Sequence, residues 1–190
     1  MLDRDRLAQE FEVALPYDRY VATGKPEQQA GWRRIYDQAH LTDAQQRLVR
    51  GFIREMNVLV VSGIWCGDCV QQCPLLERIA GANPEKIRLR FVDRDEHADL
   101  SGAVHVNGGA RVPVALFLAE DFEFVALLGD RTLARYRALA ARQLGPSCPL
   151  PGAPVPDDEL AATLSDWLAE FERVQLLLRL SARLRQKHGD

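Results

Sequence analysis

Val58-Leu59-Val60-Val61-Ser62-Gly63-Ile64 is an almost uninterrupted β-branched and apolar run, and Trp65-Cys66-Gly67-Asp68-Cys69 follows it directly. A strand that is apolar on both faces is expected only in a sheet covered on both sides, so this run marks a central strand. The stretch from Cys66 to Ala80 has helical character, and Ile87-Arg88-Leu89-Arg90-Phe91-Val92-Asp93 has the pattern of a second strand. Strand, helix and strand in this order make a βαβ unit with parallel strands. The expected class is therefore α/β.

Two further strands, Val114 to Ala119 and Phe122 to Leu128, flank Glu120-Asp121 and are too close for anything but an antiparallel hairpin. Thr132 is expected to cap a helix running to about Gln143. Before residue 57 the spacing predicts helices over Asp3 to Ala14, Pro26 to His40 and Thr42 to Met56. Tyr17, Tyr20 and Val21 are expected to fasten the loop between the first two onto an apolar surface. Residues 145–156, rich in proline, form a linker. After it, Leu160, Leu164, Trp167, Phe171, Val174 and Leu178 define one face of a long helix from Asp157 to about Lys187. A second stripe, Leu176, Leu177, Leu180 and Leu184, needs cover from the N-terminal helices, or from a second copy in a homodimer. The expected organisation is a helical extension over 1–56, an α/β domain over 57–145, and the linker with the C-terminal helix over 146–190.

With 190 residues, 47% apolar and 27% charged, the chain has the composition of one folded domain with extensions. No apolar stretch approaches the roughly 20 residues that span a bilayer. Met1-Leu2-Asp3-Arg4-Asp5-Arg6 is followed by no apolar run, so no secretory signal is expected and a cytoplasmic location follows. A net charge of −3 gives no footprint for nucleic acid.

Four cysteines without a secretory signal point to catalysis or metal binding rather than to a disulfide framework. Cys66 falls where a buried strand hands over to a helix, where unpaired amides and the helix dipole favour an anion. A thiol there is expected to be acidified into a nucleophile. Cys69 lies one turn deeper on the same face, within reach as a resolving thiol. Taken alone, C-x-x-C also fits half a zinc site or two ordinary cysteines. Cys73 is expected to be buried and inert. With it the run matches only part of a ferredoxin ligand set, and His40, His97, His105 and His188 show no paired ligand spacing. No metal and no cofactor is expected.

From residue 57 to about 143 the sequence resembles the thioredoxin family, and in particular bacterial thioredoxin-like proteins with a W-C-G-D-C site behind a helical extension. The resemblance rests on that motif and on Pro74, where the family kinks its active-site helix. It rests also on Val112-Pro113, where the family places its cis-proline, and on Gly129, which closes the last strand. It implies a thioredoxin-like three-layer α/β/α fold with a four-stranded mixed sheet and helical extensions at both ends. The implied activity is thiol-disulfide exchange by Cys66 and Cys69, in cell redox homeostasis. Trp65, Gly67, Asp68, Arg111, Val112 and Pro113 would form the substrate-binding surface, the residue before the proline offering its backbone to a substrate peptide. The implied partners are a disulfide-containing protein or low-molecular-weight thiol as substrate and a reductase or thiol as electron donor. A thioredoxin-like binding module with little turnover is the other reading.

Three departures stand against the family pattern. Val60 occupies the position, six before Cys66, where the family buries an acidic residue, and Phe91 takes the place of its lysine. Asp68 stands where proline is common, and its charge is expected to raise nearby thiol pKa values. Arg111 either offsets that charge or is a solvated loop arginine. Asp68 is the only nearby carboxylate available as a base for Cys69.

Overall fold

The computed structural model describes residues 2–144, 155 and 157–190, so Cys148 and nearly all of the linker lie outside the described residues. Its sheet has the order β2-β1-β3-β4, built from β1 (Met56–Ser62), β2 (Ile87–Asp93), β3 (Val114–Ala119) and β4 (Phe124–Gly129). β1 runs parallel to β2 and antiparallel to β3, and β3 is antiparallel to β4. Every residue of β1 and of β3 is buried. Because successive side chains alternate between faces, both faces of the sheet must be covered. The described helices are α1 (Arg4–Val13), α2 (Tyr17–Ala22), α3 (Pro26–Gln38), α4 (Asp43–Arg50), α5 (Gly67–Gly81), α6 (Ala98–Ala103), α7 (Leu133–Gln143), α8 (Glu159–Leu180) and α9 (Ala182–His188), of which α2 and α5 pack on β2 and α8 on β3 and β4. This is the expected α/β fold with helical extensions. None of the described helices is long and apolar enough to cross a membrane.

The N-terminal helices are set by local chemistry. Asp3 accepts the Arg6 amide at 2.8 Å to cap α1, and Thr42 and Gln45 cap α4 reciprocally, with bonds of 3.3 and 2.9 Å. The helix expected to reach Met56 stops at Arg50 instead. Gln175 of α8 takes over there: its Oε1 accepts the amides of Ile53 and Arg54, and its Nε2 donates to the Arg54 carbonyl. Met56 then joins β1, its amide donating to the Lys86 carbonyl at 2.7 Å. The segment around Tyr17 is not a loop but α2, which buries Tyr17 and Tyr20. Tyr20 stacks on Phe91 with ring centroids 5.3 Å apart, and Trp32 of α3 meets the same ring edge-on at 6.3 Å.

β4 begins at Phe124 rather than Phe122, because Phe122 sits in the left-handed region at φ 65° in the hairpin turn. Thr132 stands at the N-cap of α7 without a side-chain cap bond. Asp166 of α8 caps that end instead, accepting the Ala134 amide at 2.7 Å. The expected single C-terminal helix is broken at Ser181, whose extended backbone starts α9 and whose hydroxyl caps it. The break turns the last cations onto the β3–β4 turn, where Lys187 and His188 hold Glu120 at 2.5 and 2.8 Å.

The principal face of α8 is buried as expected, with Trp167 and Phe171 wholly enclosed and Phe171 edge-on to Phe117 of β3 at 5.1 Å. The second stripe is not covered by the N-terminal helices. Leu184 is buried, but Leu176, Leu177 and Leu180 are 53, 42 and 76% exposed.

Candidate active site

The β1–α5 junction delivers the motif to one end of the sheet. Cys66 is the N-cap of α5 with an extended backbone, and Gly67, the first helical residue, is exposed. A Cβ at Gly63 would come within 2.9 Å of the Trp65 indole, so a side chain there would displace the ring. The indole is 48% exposed and carries the Arg94 guanidinium over its face at 4.6 Å. Trp32 fixes the turn from behind, its indole N–H donating to the Ile64 carbonyl at 3.1 Å.

Cys66 is half-buried, and its thiol donates to the Val112 carbonyl at 3.7 Å. The Val112–Pro113 bond is cis. Gly129 permits this strand to approach, because a Cβ there would lie 2.9 Å from the Pro113 carbonyl and 2.8 Å from Val114. Cys69 is wholly buried one turn deeper, its sulfur accepting the Gly63 amide at 3.4 Å. The structure therefore brings Trp65, Cys66, Gly67, Asp68, Cys69, Val112 and Pro113 together. Cys73 is buried beneath them.

The acidified thiol expected at the helix end is not what this geometry produces. The Cys66 thiol is pushed above its ordinary value, first by its contact with the Cys69 thiol and then by burial, against a downward pull from the amides of Cys69 and Asp68. Burial drives the Cys69 thiol up as well. Of the two, Cys66 alone combines partial exposure with those amides.

Asp68 also departs from expectation. Burial would push its carboxyl up, but hydrogen bonds from Arg131 (2.5 Å) and Arg135 (2.9 Å) overrule it and hold the group below the ordinary carboxylate range. A carboxylate so held is a poor proton acceptor, which removes it as a base for Cys69. Arg111 does not compensate Asp68; it faces Asp130 at 3.4 Å. Asp130 is buried and also accepts from Arg131 at 3.0 Å and from the Tyr136 hydroxyl. Gln72 locks this corner, donating to the Asp130 carbonyl at 2.9 Å and accepting the Thr132 amide at 3.3 Å. Arg135 continues the network to Glu159 at the start of α8. None of Arg94, Asp130, Arg131 or Arg135 stood out in the sequence.

Where the family pattern places a buried ion pair, the structure places Val60 in register with Phe91, backed by Tyr20 and Trp32. The two departures fall at one place, since Val60 and Phe91 are paired residues of a single apolar cluster. A cleft behind it, lined by Tyr17, Asp18, Tyr36 and Glu77, holds the strongest carboxyl perturbation near the site. Burial, then the charge of Asp18, raise Glu77 to about 7 against the pull of Arg78. A raised folded-state value stabilises the fold below the ordinary carboxylate range and loses that stability as pH rises towards 7. Glu77→Gln is therefore expected to leave stability unchanged at pH 4 and to increase it at pH 8, as urea unfolding at the two pH values would show.

A four-stranded mixed sheet with a dithiol at the N-terminus of a flanking helix and a cis-proline strand facing it defines a thioredoxin-like fold. The family model described as thioredoxin matches residues 14–140, and the chain belongs to the thioredoxin family. It is similar in structure to a protein of unknown function from Pseudomonas aeruginosa, at 19% identity over 92% of this chain and 97% of that one, with a TM-score of 0.69. An HIV epitope-scaffold is similar at 19% identity over 92% and 98%, with a TM-score of 0.62. Mitochondrial thioredoxin 3 from Saccharomyces cerevisiae matches at 21% identity over 50% of this chain and 86% of that one, with a TM-score of 0.34. No curated protein matches the chain.

Proposed function

We propose that this chain is a thiol-disulfide oxidoreductase of a reducing compartment such as the cytoplasm. The observation that carries the reading is the placement of Cys66: a helix N-cap, half-buried, with its thiol on the Val112 carbonyl and a second cysteine one turn below. The Cys66 thiolate attacks one sulfur of a substrate disulfide, and the other sulfur leaves as a thiolate that takes a proton from water. Cys69, deprotonated, then attacks Cys66, and the second substrate sulfur leaves in the same way. Two electrons have passed to the substrate, and the protein holds a Cys66–Cys69 disulfide. An external reductase or low-molecular-weight thiol returns it to the dithiol. The substrate, a protein or small-molecule disulfide, meets Trp65, Gly67 and the backbone of Val112, the Cys66 thiol releasing that carbonyl.

Insulin reduction with a thiol donor, together with a redox titration followed by mass spectrometry, tests the reading. Turnover and a reversible Cys66–Cys69 disulfide are expected. A pair that neither oxidises nor exchanges would leave the thioredoxin-like binding module as the function.

A further inference from the structure

Cys69 must lose a proton before it can attack Cys66, yet it is wholly buried and Val60 offers it no carboxylate. Hydroxyl groups stand there instead. Ser62, also wholly buried, has its Oγ 3.6 Å from the Cys73 sulfur, and the amide of the next residue, Gly63, donates to the Cys69 sulfur at 3.4 Å. Tyr20 of α2 lies on the same side of β1, stacked on Phe91, which is in register with Val60, two residues before Ser62. Tyr20 is 2% exposed, and its hydroxyl has no hydrogen-bond partner. A buried hydroxyl with no partner is free to donate to a neighbouring group.

We propose that Tyr20 and Ser62 form a two-hydroxyl chain that stabilises the Cys69 thiolate during resolution, in the role a buried carboxylate would otherwise serve. The proposal rests on the oxidoreductase reading. In the dithiol, Ser62 is engaged with Cys73. When Cys69 ionises, its proton leaves to water through the opening at Cys66. Ser62 turns its hydroxyl hydrogen to the anion, Tyr20 donates to the Ser62 oxygen, and the Gly63 amide completes the set. Cys69 then bonds to Cys66, and the Cys66–substrate bond breaks with its electron pair on the substrate sulfur. Neither hydroxyl is a base; both lower the cost of a buried anion. The upward drive on Cys69 from burial is partly offset by Ser62 already. The other titratable groups facing this pocket are Cys66 and Cys73 on α5, Tyr17 on α2 and Asp93 at the end of β2.

The test is a single-turnover reaction of the reduced protein, in a Cys148→Ser background, with dithiobis(nitrobenzoate) from pH 6 to 9. Attack by Cys66 releases one coloured thiolate, and resolution by Cys69 releases a second. Below the Cys69 midpoint the second release should rise with pH, and Ser62→Ala is expected to slow it about tenfold throughout, displacing the rising profile by about one pH unit, with the first release unchanged. Tyr20→Phe should shift the same profile in the same direction, about threefold. A structural role alone would not move the second profile while sparing the first. Superimposable profiles for parent and Ser62→Ala overturn the proposal. If Ser62→Ala fails to fold, Tyr20→Phe decides, and an unshifted profile overturns it equally. A parent protein that gives the first release and never the second defeats the oxidoreductase reading instead.

Discussion

Cys66→Ser is expected to reduce disulfide exchange to background, a loss on the order of 10³-fold or more, whereas Cys69→Ser should retain the first attack and accumulate a Cys66 mixed disulfide. A serine hydroxyl is a competent nucleophile only with a base beside it, and Cys66 has none. The one carboxylate in its helix turn, Asp68, is committed to Arg131 and Arg135. Both thiols of the pair are held above their ordinary value. The parent's first attack should therefore speed up about tenfold per pH unit as the thiolate fraction grows between pH 6 and 9. Stopped-flow measurement of the first attack, with intact-mass detection of the adduct in Cys69→Ser, checks each part. A first attack that does not respond to pH would mean that Cys66 is ionised throughout, against the contacts described.

Trp32→Ala should cost about 3–5 kcal/mol of stability, the range for truncating a large buried aromatic. Trp32 is wholly enclosed and touches Tyr17, Tyr20 and Phe91, with ring centroids 5.9, 5.7 and 6.3 Å away. It also supplies the partner of the Ile64 carbonyl, one residue before Trp65. Trp32→Phe separates the two effects, since it keeps most of the packing and gives up only that bond, for about 1 kcal/mol. Urea unfolding measures both variants. Trp32→Ala falling by less than 1 kcal/mol would show that the extension is not part of the domain's core.

The residues differ sharply in how much of this the sequence disclosed. Val58 to Val61 revealed β1 because burial on two faces leaves no polar position to hide the strand. The Cys66–Cys69 motif located the end of that strand and the start of α5 for the same local reason. By contrast, α2 and α6 are six residues each, too short for a helical period to show. Val49, Phe52 and Met56 keep a helical spacing, and the side chains that bind the backbone where the helix ends are distant in sequence, Asn83 on the Val49 and Phe52 carbonyls and Gln175 on the Ile53 and Arg54 amides. Partners of Asp68 were invisible for the same cause. Arg111 is next to Val112 in the chain, but the guanidiniums that reach Asp68 belong to α7 and the turn before it. Charge pairing across the fold leaves no trace in spacing.

The two bonds between Leu15 and Phe91, of 2.9 and 2.8 Å, have a bearing beyond the site. β2 is the outer strand of the sheet, and an open outer strand offers its free amides and carbonyls to any other extended chain. Leu15, between α1 and α2, occupies the middle of that row with a single antiparallel rung. The N-terminal helices thus serve as a guard on the sheet's margin, denying a second molecule the place where edge-to-edge association would begin.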